Sequence, residues 1–292
     1  MPARDLILVL IVCVAWGFNF IAVAQGMTHF SPYVFTVLRF SLLLGLLLPF
    51  LKLPPTGQWP RLVAVCLSTG ALHFGFLFWA MGRSADVTSV AITLQTYVPM
   101  TVLMAIALLG ERVGWRTGVA IGVSFAGVAM LSLDPLIFEQ VDVVGIALLA
   151  AFFQSLGSVL MRGLRGLGVL NFQAWTAAIS LPPLILGSLL FDDHRVAMVL
   201  SAGPLDWGAV VYTTVFASIL GHGLFFYLVQ RHPVSAVMPY ILLAPVLAVI
   251  FGIVVWGDRP GWRLLAGGAL VLSGILVVSI RALRRREKRR SD

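Results

Sequence analysis

This sequence predicts an all-α integral membrane protein of ten transmembrane helices, arranged as two inverted five-helix repeats. Three observations carry that expectation. Apolar residues make up 60% of the 292 positions and charged residues 11%, against about 25% charged in soluble domains; with a mean hydropathy of +0.99, lipid is the solvent for most of the surface. Ten apolar runs each approach the about 20 residues that cross a hydrocarbon core of about 30 Å as helix. One loop motif also occurs twice, as Gly-Glu-Arg-Val-Gly-Trp-Arg at 110–116 and Gly-Asp-Arg-Pro-Gly-Trp-Arg at 257–263, with a period of 147 residues. So long a period marks a duplicated half rather than a solenoid. In a membrane protein it suggests a carrier with its site between related halves.

The runs, numbered helix 1 to helix 10, cover 6–25, 32–51, 61–81, 87–109, 115–133, 143–162, 172–191, 206–229, 234–256 and 262–281. The loops between them are short, and Pro32, Pro54, Pro55, Pro60, Pro135, Pro204 and Pro233 close or follow several helices. Arg4 and Ala22-Val23-Ala24 imitate a secretory signal. The apolar run is longer than a signal core and holds Trp16 and Asn19, so a membrane helix is expected there. No run alternates as a barrel strand would. Cys13 and Cys66 fall inside apolar runs, as small apolar fillers without a disulfide or zinc pattern. The first repeat is expected over 1–134, the second over 135–281, and a basic tail over 282–292.

Basic residues set the orientation. Alternate loops and the tail place fifteen of the twenty Lys and Arg on one side and four on the other, with Arg39 inside helix 2. The positive-inside rule puts both termini in the cytoplasm. Five helices per half is an odd number, so the second half is expected upside down, forming two gates around one midplane site.

Certain residues carry a family resemblance: Trp16-Gly17-Phe18-Asn19-Phe20, Arg39-Phe40, Pro99 followed by Leu109-Gly110-Glu111-Arg112, and Pro245 followed by Gly257-Asp258-Arg259. They resemble the drug/metabolite transporter (DMT) superfamily, specifically its EamA-type ten-helix exporters. The aromatic-rich helices 3 and 8 look most like the YddG-type aromatic amino-acid exporters. The resemblance implies transport through a central cavity walled by helices 1–4 and 6–9, with helices 5 and 10 peripheral. The chain departs from the pattern at Gln154-Ser155, where the family often has Trp-Ala; that wall is expected to be more polar.

Polar groups in lipid are expensive and tend to face a cavity or a partner. Asn19, Arg39, His73, Gln95, Gln154 and His222 are the candidates. All twelve acids fall in loops or at helix ends. Small multidrug-resistance relatives carry a buried glutamate in helix 1, and its absence here argues against organic cations and a carboxylate proton relay. His73 and His222 are then the groups able to titrate near neutral pH within the membrane. They occupy similar places 149 residues apart, and two readings stay open for them: bonding between helices or lining the cavity. Arg39 is either a fixed charge for a substrate carboxylate or a structural Arg that bonds freed carbonyls or snorkels; the resemblance favours the second. Pro99 and Pro245 interrupt helices 4 and 9 and are expected to serve a gate or the site itself. The aromatics Trp16, Phe20, Phe74, Tyr97, Trp175, Phe226 and Tyr240 are expected in the cavity wall, where a ring face attracts an ammonium. Trp115 and Trp262 read as interfacial anchors, and Gly118 with Gly122 as a dimer face or as packing within the monomer.

The function expected is a secondary transporter in the inner (plasma) membrane. It would export aromatic and other neutral amino acids, or related small metabolites, by alternating access as a uniporter or facilitator. A proton-coupled drug, nucleoside or metabolite exporter is the alternative. The expected partners are small zwitterions of this kind and membrane lipids, in a monomer or dimer. No nucleic acid, cofactor, metal or catalytic residue is expected. A membrane-embedded enzyme is disfavoured because the sequence has no G-x-S-x-G, H-E-x-x-H or intramembrane carboxylate pair, and no nucleotide-binding G-x-x-x-x-G-K-[ST].

Overall fold

The computed structural model describes residues 1–83, 90, 93, 94, 96–111, 114, 115, 118, 119, 122, 123, 126, 141–256, 266, 269, 270, 273, 274 and 277. Among them there is no strand, and seven helices are long and apolar enough to cross a membrane. Helices 5 and 10 fall largely outside the described residues, as do the 257–263 loop, Trp262 and the 282–292 tail.

Helix 1 spans Ala3–Met27. Helix 2 spans Pro32–Leu47 and tightens into a 3-10 turn at Leu48–Phe50. It starts on Ser31, whose Oγ accepts the Val34 N–H at 3.4 Å, with Pro32 preset for the first turn. Helix 4 is described over Tyr97–Leu109 and ends on Gly110 at φ 64°, a left-handed cap that glycine adopts without strain. Helix 6 spans Val141–Met161 and helix 7 Val169–Phe191. A short surface helix, Arg195–Ser201, precedes helix 8.

Three helices depart from the uniform rods expected. Helix 3 (Trp59–Arg83) widens to a π-helix at Leu67–Leu72, and helix 8 (Pro204–Arg231) does so at Thr213–His222. No proline lies in either π segment. His73 directly follows the first and His222 closes the second. Helix 9 is two pieces, Val234–Ile241 and Leu243–Trp256. Its second piece starts two residues before Pro245, as the described helix 4 starts two residues before Pro99. Proline has no N–H to give the preceding turn, so the ladder stops and restarts there.

Side-chain ties show the direction of each half. Asp5, at the start of helix 1, meets His232 after helix 8 at 2.6 Å. Arg162, at the end of helix 6, donates to the carbonyls of Val229 and His232. The first helix of one half therefore starts on the face where the first helix of the other half ends, and helices 1 and 6 run oppositely. On the far face, Arg83 at the end of helix 3 pairs with Asp142 at the start of helix 6 at 3.0 Å. We refer to these as the Arg162 face and the Arg83 face.

Packing follows the same two-fold logic. Helix 1 lies against helices 8 and 9, helix 6 against helices 3 and 4, and helix 2 against its counterpart helix 7. Each of the two larger bundles thus draws from both halves. Gly17 lets helix 1 reach the break in helix 9: a Cβ there would lie 2.8 Å from Leu247 Cβ and 3.0 Å from the Ala244 carbonyl oxygen. Among the described residues, a Cβ at Gly118 or Gly122 meets nothing within 4 Å. Gly17→Val should therefore destabilise the protein by about 1–3 kcal/mol through overpacking. Gly118→Val should leave the thermal unfolding midpoint in detergent unchanged.

Candidate functional site

A cavity of about 160 Å³ lies between the two bundles. Helix 1 lines it with Trp16, Asn19, Phe20, Val23 and Ala24, and helix 3 with His73, Phe74, Leu77, Phe78 and Met81. Arg39, Leu94, Tyr97, Gln154, His222 and Ala244 complete the wall. Its floor is at mid-depth, and from there it follows the later turns of helices 1 and 3 toward the Arg83 face. A smaller pocket below, of about 20 Å³, shares Arg39, Phe74, Gln154 and His222 with it and reaches Met161 and Phe172.

The π segments shape the floor. The Ala217 carbonyl accepts both the Trp16 indole N–H at 3.2 Å and His222 Nδ1–H at 2.8 Å, which ties helix 1 to helix 8. His73 Nδ1–H donates to the Ala150 carbonyl of helix 6 at 3.0 Å. Both histidines bond a carbonyl and face the cavity; the His73 bond runs between helices 3 and 6, whereas the His222 bond stays within helix 8. Among the described residues Arg39 meets side chains. It is 2% exposed, so it does not snorkel. Its Nε donates to the Ser218 hydroxyl at 2.9 Å rather than to a freed carbonyl, and its guanidinium lies 4.9 Å from the Phe74 ring centroid. Tyr97 presents its carbonyl to the hydroxyls of Thr101 at 2.6 Å and Ser155 at 2.9 Å.

Nine of the anticipated residues meet here: Trp16, Asn19, Phe20, Arg39, His73, Phe74, Tyr97, Gln154 and His222. Gln95 lies outside the described residues. Three others line neither pocket, and all three sit toward the Arg162 face. Trp175 donates its indole N–H to the Lys52 carbonyl at 2.9 Å and packs edge-on against Trp59, as an interfacial tryptophan does. Phe226, a turn beyond His222, is stacked on Phe172 at 4.3 Å. Tyr240, a turn before Ala244, packs on the core and its carbonyl accepts the Cys13 thiol at 3.3 Å. Below the floor the helices have closed on one another. Pro99 and Pro245 are half-buried beside the wall and are not part of it.

That closure rests on residues the sequence did not single out for it. The Glu111 carboxylate accepts the backbone N–H groups of Val234 and Ser235 at 2.9 Å each and the Ser235 hydroxyl at 2.6 Å. It caps helix 9, whose own N-cap, Pro233, supplies no side-chain bond. Orphan N–H groups and the positive helix end make this a favourable anion seat. Arg162 lies 3.7 Å from Glu111 and adds its carbonyl bonds across the same seam. A repeated acid after a helix-ending glycine was the available signal, but its partner is 123 residues away.

Comparison with known proteins places this architecture. A family model described as the EamA-like transporter family matches residues 4–133 and again 143–280. The chain belongs to the EamA-like transporter family. It is a multi-pass membrane transporter, not an enzyme. It is 27% identical to a protein of Salmonella typhimurium, and 26% identical to one of Escherichia coli, each named "probable amino-acid metabolite efflux pump"; each match covers 95% of both chains. A "probable terminal-alkyne amino-acid exporter" of Streptantibioticus cattleyicolor is 26% identical, over 78% of this chain and 75% of its own. A solved crystal structure shares the fold with a TM-score of 0.77 at 19% identity, over 97% of this chain and 99% of that one.

The seal is testable with single cysteines at positions 73, 97 and 154, in a background lacking Cys13 and Cys66. Water-soluble thiol reagents should reach them from the Arg83 face. Glu111→Gln removes the charge from bonds worth about 1.5–3 kcal/mol when charge-assisted, and should raise labelling from the Arg162 face severalfold. Unchanged labelling would assign the seal to other contacts.

Proposed function

We propose that this transporter exports aromatic and other neutral amino acids or related small metabolites from the cytoplasm by alternating access, and that the cavity is its substrate site, facing outward. The observation that carries the reading is an asymmetry between equivalent residues. Leu77 and Leu94 line the cavity. Their counterparts in the second half, at offsets of 149 and 146 residues, are Phe226 and Tyr240, which are packed away toward the Arg162 face. An inverted pair of halves in one working state has one gate open and its equivalent shut. Exchange of the two arrangements carries the site from one side to the other.

The Arg162 face carries Arg4, Lys52, Arg61, Arg162, Arg165 and Arg231, and the Arg83 face Arg83 and Arg195. That imbalance supports a cytoplasmic Arg162 face. The wall of Phe20, Phe74, Leu77, Phe78 and Met81 suits a solute with an apolar side chain. The names of the relatives support an amino-acid or amino-acid-derived cargo. Among the described residues no carboxylate lines the cavity, which supports facilitated movement over the proton-coupled alternative.

Proteoliposomes preloaded with unlabelled amino acid should take up labelled amino acid saturably, without a pH gradient, and faster than unloaded vesicles. Flux that neither saturates nor responds to preloading would mean a channel. Cysteines at 226 and 240 should react from the Arg162 face in proportion to the inward-facing population, and addition of substrate should change their rate.

A further inference from the structure

Among the described residues, one buried cation at the cavity floor has no counter-charge and two buried amide oxygens accept no hydrogen bond, and what they lack is complementary. Arg39 is a buried cation. Three ion pairs occur among the described residues and none includes it. A guanidinium does not shed its proton, so it persists as a fixed positive charge, and among the described residues no carboxylate lines the cavity with it. Facing the same cavity are two buried oxygens that accept no hydrogen bond, Asn19 Oδ1 and Gln154 Oε1. Gln154 is 7% exposed, and its neighbour Ser155 turns its single O–H toward the Tyr97 and Ala151 carbonyls. Buried acceptors are nearly always paired in native proteins. Two orphans beside an unpaired cation describe a site awaiting one group that accepts and another that donates.

We propose that these residues read the two charged poles of an α-amino acid. Arg39 takes the carboxylate, and Gln154 and Asn19 accept from the ammonium. The side chain then lies along Phe20, Leu77 and Phe78 toward the Arg83 face. The three come from helices 2, 6 and 1, so a zwitterion joins the two bundles through its head rather than resting on one of them. An amine meets the Arg39 charge unshielded, and a carboxylic acid without an amine leaves both oxygens orphaned. The proposal rests on the amino-acid reading above.

The test uses labelled L-phenylalanine uptake into proteoliposomes preloaded with the same amino acid. L-phenylalanine, phenethylamine and 3-phenylpropanoate are compared as competitors, because they share the ring and differ in their poles. Both one-pole compounds should compete at least about tenfold more weakly with the wild type, since a site built to hydrogen-bond a group rejects the analogue lacking it. Gln154→Leu should narrow the gap between L-phenylalanine and 3-phenylpropanoate while leaving phenethylamine weak, and Arg39→Gln should narrow the gap to phenethylamine. The wild-type comparison decides even if a variant fails to fold. Equal competition by the amine overturns the Arg39 assignment, and equal competition by the acid overturns that of the two oxygens. Either result leaves amino-acid export standing. Absence of uptake for every amino acid, with or without a proton gradient, removes both readings.

Discussion

Hydrocarbon offers no partner to a backbone N–H or C=O, and that constraint governs where this protein is allowed to be irregular. Its π segments and its helix restarts lie around the cavity, where side chains engage the disturbed backbone. The Ala217 carbonyl is held by Trp16 and His222, the Tyr97 carbonyl by Thr101 and Ser155, and the Tyr240 carbonyl by Cys13. π-bulges recur at functional sites because they turn a face of the helix that a regular ladder would hold elsewhere. Here the same irregularity precedes or ends on a histidine in each half, so the duplication has preserved a backbone feature along with a sequence motif.

In the alternating-access reading proposed above, the two gates differ in chemistry because they differ in state. Toward the Arg83 face the helices are parted and the lining is mostly apolar. Toward the Arg162 face they are joined by charge-assisted bonds from Glu111, Arg162 and Asp5. Such bonds are directional, so the seam is either made or broken, with little in between. Their strength sits at the rim, where water stands ready to replace them, rather than at mid-depth, where breaking them would strand a charge.

Much of this was legible in the sequence, for physical reasons that also mark the limits. Membrane helices announce themselves by length and composition. A polar side chain in an apolar run has few places to go but inward, and the structure brings Asn19, Arg39, His73, Gln154 and His222 to the cavity on that rule. Three aromatic candidates lie away from the cavity in this conformation, whose two halves are not arranged alike. Trp175, Phe226 and Tyr240 were good candidates in a symmetric protein, and one conformation is not symmetric. The π segments were invisible because Leu67–Leu72 and Thr213–His222 contain no proline and read as ordinary apolar helix. The role of Glu111 was hidden by distance, since its partners Val234 and Ser235 contribute backbone N–H groups, which leave no trace in residue identity.

The bundles also say something about the half-chain. Helix 1 finds its neighbours in helices 8 and 9, and helix 6 finds its own in helices 3 and 4. The packed bundles are therefore mixed, and the duplicated unit is not itself a packing unit. A five-helix half made alone would present the tight-fitting Gly17 surface of helix 1 to lipid, with nothing to fill it. It would be completed only by a second copy inserted the other way up. Fusing both copies in one chain fixes their ratio and their opposed insertion at synthesis, and frees each to diverge: the acid is a glutamate in one copy and an aspartate in the other, and a histidine pair is kept in different surroundings.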